Sequence, residues 1–308
     1  MSSLIEQAAQ RLAQLRAAGV EVPEVAPAAD AVAAASAVTP AATVAAPAAP
    51  AVTSRRVDLD LDLIARNGVV VPNAPRSRVA DQFRVIKRPL LQNAAGKGAS
   101  TLNHANLIMI TSALAGEGKT FTAINLAMSI AAELDHTVML VDADVARPSV
   151  LRNLGVPEGP GLLDLIDGSA QMHDVLLRTN VDKLSVLPSG TPHQRATEML
   201  ASEGMRRLLD EMANRYADRI IIFDSPPLLM TTESRVLATN MGQIVMVVQA
   251  GRTKQSDVQA ALETIDHCPV RLMLLNQVRS ETETSYGYGY GYGHGSSHGR
   301  SGEPKPAT

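Results

Sequence analysis

The eight residues "ALAGEGKT", Ala113 to Thr120, have the types and spacing of a loop that holds a chain of phosphates. Gly116 and Gly118 let the backbone curl so that its N–H groups face phosphate oxygens. Lys119 can reach the β- and γ-phosphates, and the Thr120 hydroxyl can coordinate Mg²⁺. This is the P-loop pattern with Ala113 in the place of its first glycine. Ala115, Gly116, Glu117, Gly118, Lys119, Thr120 and Phe121 are the nucleotide contacts expected from it. A helix beginning here adds partial positive charge at its N-terminus.

A metal–triphosphate site also needs carboxylates facing the loop. "MLVDADVARP" supplies Asp142 and Asp144, and "IIIFDSPP" supplies Asp224. Two residues apart on a regular strand, Asp142 and Asp144 point the same way. Asp224 has the place of the Walker B carboxylate, which holds Mg²⁺. Thr120, Asp142 and Asp224 are the expected metal-holding residues. Any one of these aspartates alone could equally be a helix cap or a turn residue. Three of them downstream of a P-loop argue for a site.

Those residues need a scaffold that brings them together. "NLIMITS" (106–112), "TVMLVDAD" (137–144), "LSVLPSG" (184–190), "RIIIFDSPP" (219–227), "QIVMVVQA" (243–250) and "VRLMLLNQV" (270–278) are apolar runs of strand length. Helical spacing separates them at 121–134, 196–216 and 255–265, and a further arginine-rich helix is expected at 76–94. Continuous apolar strands alternating with helices predict an α/β fold, a mostly parallel sheet covered on both faces. Such sheets bind ligands at the carboxyl ends of their strands, where the P-loop and all three aspartates fall.

These motifs together resemble the bacterial tyrosine kinases, P-loop NTPases of the same broad class as septum-site and plasmid-partition ATPases. The resembling residues are the G-E-G-K-T loop, "D-A-D" followed by "R-P", and "D-S-P-P". The N-terminal "SLIEQAAQRLAQLRAAG" and "APRSRVADQFRVIKRPLL" are most similar to the exosortase-associated tyrosine autokinases of exopolysaccharide gene clusters. The resemblance implies ATP and Mg²⁺ as cofactors, with Lys119, Asp142, Asp144 and Asp224 as catalytic residues. Asp142 would accept or orient the phenol proton. It implies a ring-shaped homo-oligomer, packed through a helix whose E-x-x-R-x-x-R pattern matches Asp81, Arg84 and Lys87. It also implies a membrane polysaccharide co-polymerase on a separate chain, which would recruit this cytoplasmic protein to the inner face of the membrane. Asn276 matches an asparagine that contacts adenine. Three departures stand out: Ala115 where proline is common, Ala146 where arginine is usual with Arg147 following, and Leu114 where partition ATPases carry a signature lysine.

The ends of the chain read differently from its middle. Expected boundaries are an amphipathic helix at 1–19, an Ala/Pro-rich linker at 20–54, the P-loop domain at 55–279 and a Gly/Tyr-rich tail at 280–308. The N-terminal helix would dock on its own domain or on a partner. The linker stretch Ala31 to Val52 is uncharged, but Pro40, Pro47 and Pro50 interrupt it, so it reads as extended chain rather than a membrane span. Of five tyrosines in 308 residues, Tyr286, Tyr288, Tyr290 and Tyr292 lie in the tail. Glycine keeps them out of any core, and beside a kinase-like core they read as phosphoacceptors; alone they could belong to a solubilising segment. His294 and His298 lack a fixed partner and read as solvated. Cys268 reads as a buried apolar residue. A net charge of −3 and a pI near 6.2 give no electrostatic case for nucleic-acid binding. An alternative reading is an ATP-driven switch of the partition type; it leaves the tail unexplained and lacks a lysine at Leu114.

Overall fold

The structure is a computed structural model that describes residues 54–72, 75–98, 102–215 and 218–278. Among these residues eight strands form one sheet: β1 (Arg56–Val57), β2 (Leu107–Ser112), β3 (Thr137–Asp142), β4 (Leu177–Thr179), β5 (Leu184–Leu187), β6 (Arg219–Asp224), β7 (Gln243–Gln249) and β8 (Arg271–Asn276). Their order is β1-β4-β5-β3-β6-β2-β7-β8. All pairings from β5 to β8 are parallel, whereas β4 runs antiparallel to β5 and carries β1 with it.

The continuous apolar runs follow from burial on two faces. On β2, Ile108 and Ile110 pack on one side while Leu107 and Met109 pack on the other. The first side is covered by α1 (Leu61–Arg66), α2 (Arg78–Ala94), α3 (Lys119–Ala131) and α4 (Val150–Leu154). The second is covered by α5 (Leu162–Ile166), α6 (Met172–Val175), α7 (Ala196–Leu200), α8 (Glu203–Arg215), α9 (Glu233–Ala238) and α10 (Gln255–Glu263). Cys268 is buried on this second side, and burial pushes its thiol pKa up.

Ser77 starts α2 by accepting the Ala80 N–H at 3.1 Å. The buried Gln243 side chain then locks α2 to the sheet. Its amide donates to the carbonyls of Leu90 and Ala105 and accepts from Asn93.

The single helix expected at 196–216 is two helices, α7 and α8. Ser202 breaks it: its hydroxyl donates to the Met199 carbonyl and accepts the Met205 N–H, ending one helix and capping the next. β1, β4, α1, α4, α5, α6 and α9 are too short for periodicity to reveal. The expected N-terminal helix, the linker from 20 to 53 and the tail lie outside the described residues. Among the described residues no helix is long and apolar enough to cross a membrane.

Candidate active site

β3, β6 and β2 are neighbours in the sheet, so their carboxyl ends converge. β2 ends at Ser112 and the 113–118 loop leads directly into α3. Gly116 and Gly118 have φ of +84° and +96°, a region that L-residues with a Cβ rarely occupy. At Gly118 space is lacking as well: a Cβ would stand 2.1 Å from Asn276 Nδ2. Among the described residues no acceptor takes the N–H groups of Ala115, Gly116, Glu117 or Gly118. Four consecutive open donors, followed by the start of a helix, suit a string of phosphate oxygens.

Asp142 and Asp224 stand opposite each other in the β3–β6 register. Asp224 Oδ2 accepts the Thr120 hydroxyl at 2.6 Å. Asp142 Oδ2 accepts the N–H groups of Ser149 and Val150, each at 2.9 Å, and so caps α4. The other oxygen of each carboxylate is buried without a partner. Burial raises the Asp142 pKa to about 6, against the pull of its two backbone donors. Burial, with Asp142 opposite, raises Asp224 to about 8. Two buried carboxylates with open oxygens, beside the threonine that ends the phosphate loop, fit a divalent cation. No group of three or more His, Cys, Asp or Glu among the described residues could hold a metal by itself. Such a cation would therefore take further ligands from phosphate and water, as Mg²⁺ commonly does.

Asp144 is arranged differently from the sequence expectation. β3 ends at Asp142, so the same-side rule for a regular strand stops before it. Its Oδ1 accepts the Arg147 N–H at 3.1 Å. Burial raises its pKa, opposed by the charges of Lys119 and Arg147. It therefore belongs to a turn beside the loop lysine.

Two expected nucleotide contacts turn toward the protein. The Glu117 side chain is buried, and Asn276 Nδ2 donates to the Glu117 carbonyl at 2.9 Å instead of facing open space. Phe121 is half-buried and lines a groove of about 780 Å³ between α2 and β8, with Phe83, Leu272 and Leu274. Leu114 packs into the core on the α5–α10 side. Ser149, whose hydroxyl lies 3.0 Å from that of Thr120, was invisible in the sequence except as a residue that could start a helix. Gln249, Thr253 and Gln277, which also hold the loop, carried no signal there.

The three expected oligomer contacts on α2 divide. Asp81 and Arg84 form an exposed pair at 2.6 Å. Lys87, by contrast, is buried and bonded within its own chain. Its ammonium donates to the Ser129 carbonyl and pairs with Glu133, both at 2.5 Å, tying α2 to the end of α3. Tyr286, Tyr288, Tyr290 and Tyr292 lie outside the described residues, as do His294 and His298. The last described residue, Val278, follows Gln277, whose side chain donates to the Gly116 carbonyl at 3.3 Å.

Residues 105–276 match the family described as AAA domain. The chain is 29% identical over 208 residues to the tyrosine-protein kinase YwqD of Bacillus subtilis strain 168, covering 68% of this chain and 84% of that one. It is 32% identical over 176 residues to the tyrosine-protein kinase CpsD of Streptococcus agalactiae, covering 56% and 75%. Longer tyrosine-protein kinases are matched over 24% and 22% of their length. Among solved structures, the kinase domain of the Escherichia coli tyrosine kinase ETK aligns with a TM-score of 0.56 at 25% identity, covering 74% of this chain and 97% of that one.

Proposed function

The chain belongs to the AAA domain family and, within it, to the bacterial tyrosine-protein kinases, and from that premise we propose that it is an autokinase that phosphorylates its own C-terminal tyrosine cluster. The observation that carries this reading is the path of the chain. The last described residue is Val278, the preceding Gln277 reaches the Gly116 carbonyl with its side chain, and Tyr286 follows Val278 by eight residues. Eight residues reach at most about 29 Å, a length that allows Tyr286 to approach a phosphate loop.

In this mechanism the N–H groups of the 115–118 loop and the Lys119 ammonium bind the phosphates of ATP. Thr120 and Asp224, with Asp142 opposite, would hold Mg²⁺, which when bound neutralises charge on the phosphate oxygens. The phenol oxygen of a tail tyrosine, delivered from a neighbouring subunit, bonds to the γ-phosphorus. The bond from that phosphorus to the β–γ bridging oxygen breaks, and ADP leaves with the electron pair. The phenol proton passes to Asp142 Oδ1, the buried oxygen that its two backbone donors leave free. A carboxylate near pKa 6 suits a proton acceptor working close to neutrality. Lys119 stabilises the charge on the transferring group, and Asp144 orients the loop side of the site.

The same reading includes a ring of subunits in contact through Asp81 and Arg84. It also includes a membrane polysaccharide co-polymerase as partner, with exopolysaccharide polymerisation or export as the regulated process. Phosphates on four neighbouring tyrosines repel one another and nearby acidic groups, which would loosen the ring.

The test is direct. Purified protein is incubated with Mg-ATP, with and without the partner's cytoplasmic segment, and phosphate is mapped by mass spectrometry. Lys119→Ala and a variant with all four tail tyrosines changed to phenylalanine run alongside. The expected label sits on the tail of the wild type alone. Absence of tail phosphotyrosine in every wild-type condition would overturn the proposal.

A further inference from the structure

Within the phosphate loop, Glu117 is the one acidic side chain, and it faces away from where phosphates would lie. It is 1% exposed. Its Oε2 accepts the Leu114 N–H at 2.6 Å, closing the loop across its own base. Its Oε1 accepts the Gln249 N–H at 3.3 Å, at the end of β7. The same oxygen takes the hydroxyl of Thr253, just before α10. Three donors therefore converge on one buried carboxylate.

Two of the loop's carbonyls are held from the end of β8, which lies beyond β7 from β2. Asn276 takes the Glu117 carbonyl, Gln277 takes the Gly116 carbonyl, and Gln249 Nε2 donates to Gln277 Oε1 at 2.6 Å. With the Gly116 and Glu117 carbonyls and the Leu114 N–H occupied on the protein side, the loop keeps the four following N–H groups open. That division of donors and acceptors is what an anion-binding loop requires before its anion arrives.

We propose that Glu117 is a positioning residue for nucleotide binding, acting through the main chain rather than by touching the nucleotide. It anchors the loop to the junction of β7 and α10 so that the open N–H groups are preorganised. The proposal rests on the reading of this loop as the ATP site. It assigns Glu117 a ground-state role: its loss weakens nucleotide binding and leaves the chemical step, once the nucleotide is bound, nearly unchanged.

Glu117→Gln is the informative substitution. It keeps the size but brings an NH₂ donor, so one side of the amide must face a donor. A buried donor left without an acceptor costs enough to raise the dissociation constant for MgADP about tenfold. Thr253→Val, outside the loop, removes the hydroxyl that donates to Glu117 and accepts the Gln249 N–H while preserving shape, and should shift it in the same direction by about two- to threefold. Calorimetric titration with MgADP measures both, and unfolding midpoints without nucleotide report whether each variant is folded. In phosphotransfer assays Glu117→Gln should raise KM for ATP by a similar factor with kcat at saturation largely retained.

Wild-type binding of MgADP by folded Glu117→Gln, or by Thr253→Val if the first does not fold, would overturn the inference. So would a fall in kcat at unchanged KM. Failure of the wild type itself to bind MgADP would remove the nucleotide-site reading, and the inference with it.

Discussion

Asp142 and Asp224 face each other across the ends of two adjacent parallel strands, and each has one bonded oxygen and one buried oxygen without a partner. Asp224 is fully buried and Asp142 nearly so. The Lys119 charge acts on Asp224 but does not offset its burial. The pair is therefore a local cost to the empty fold, kept where a phosphate-bound cation would relieve it.

This arrangement makes stability depend on pH with a defined sign. Both folded pKa values, about 6 and about 8, lie above the ordinary 3.8. Between those limits the folded state binds more protons than the unfolded one, so stability falls as pH rises. The contribution is complete below 3.8, shrinks through 6 and is gone above 8. Without nucleotide, the unfolding midpoint should drop steadily from pH 5 to pH 8.5. Saturating Mg-ADP should flatten the profile. A nucleotide-free midpoint that rises across this range would contradict the assignment.

Asp224→Asn separates the stability cost from function. Asparagine cannot ionise, so the nucleotide-free variant should melt higher than wild type at pH 8 and show a shallower pH profile. Phosphotransfer should fall by roughly a hundredfold or more, since charge placed for the transferring phosphoryl is lost. Denaturation and kinase assays on the same preparation check both halves. A variant that is less stable at pH 8 would show that the carboxylate's hydrogen bond to Thr120 outweighs its burial.

On α2 the three charged positions should behave in two ways. Lys87→Met leaves the Ser129 carbonyl without its donor and Glu133 without its cation, and should cost about 1–3 kcal/mol of stability. Arg84→Ala breaks an exposed pair and should cost no more than about 0.5 kcal/mol, while shifting the oligomer distribution toward smaller species in sedimentation experiments. Equal destabilisation by the two substitutions would undo the distinction between an internal tie and a surface contact.

Much of this architecture is readable from residue patterns, for definite reasons. β2, β3, β6 and β7 are buried on both faces, so they appear as unbroken apolar runs, and the P-loop spacing marks the junction of β2 and α3. The placement of Asp142 and Asp224 at carboxyl ends of strands follows from those runs, whereas the adjacency of β3 and β6 is set by the strand order, which the runs do not encode. Other features depend on partners remote in sequence. Lys87 sits at a helical position with solvent-like composition, yet it reaches Ser129, and only packing reveals that. Glu117 looks like a loop residue facing a ligand, but Thr253 and Gln249 turn it inward. Ser202 divides a helical pattern because its hydroxyl competes for backbone groups, a local contest that apolar periodicity does not register.

The two loop glycines should differ in what they tolerate. Gly116 has positive φ, but a Cβ added there would meet no atom within 4 Å, whereas at Gly118 a Cβ meets Asn276 Nδ2. Gly116→Ala should therefore carry only backbone strain of about 1–2 kcal/mol, and retain weakened nucleotide binding. Gly118→Ala should lose measurable binding. Adding Asn276→Ala to Gly118→Ala restores space but not conformation, so it should recover part of the loss. Titration with MgADP across the four proteins tests this order, and equal affinity for the two single variants would refute it.

The proposed delivery of a tail tyrosine by a neighbouring subunit, rather than by the site's own chain, is open to a direct test. Tyr286 lies eight residues beyond Val278 and Gln277 contacts the Gly116 carbonyl, so chain length alone would also allow transfer within one subunit. A mixture of two defective chains distinguishes them. One carries Lys119→Ala and intact tyrosines, and the other carries an intact site with all four tail tyrosines changed to phenylalanine. Neither should label its own tail alone. Transfer between subunits predicts phosphotyrosine on the Lys119→Ala chain when the two are mixed, increasing with total concentration as subunits meet. An unlabelled mixture, alongside a wild type that labels itself at a rate independent of concentration, would assign the transfer to a single chain. Adding Arg84→Ala to both chains should then lower labelling in the mixture if α2 brings the subunits together. The same substitution should leave a transfer confined to one chain unaffected.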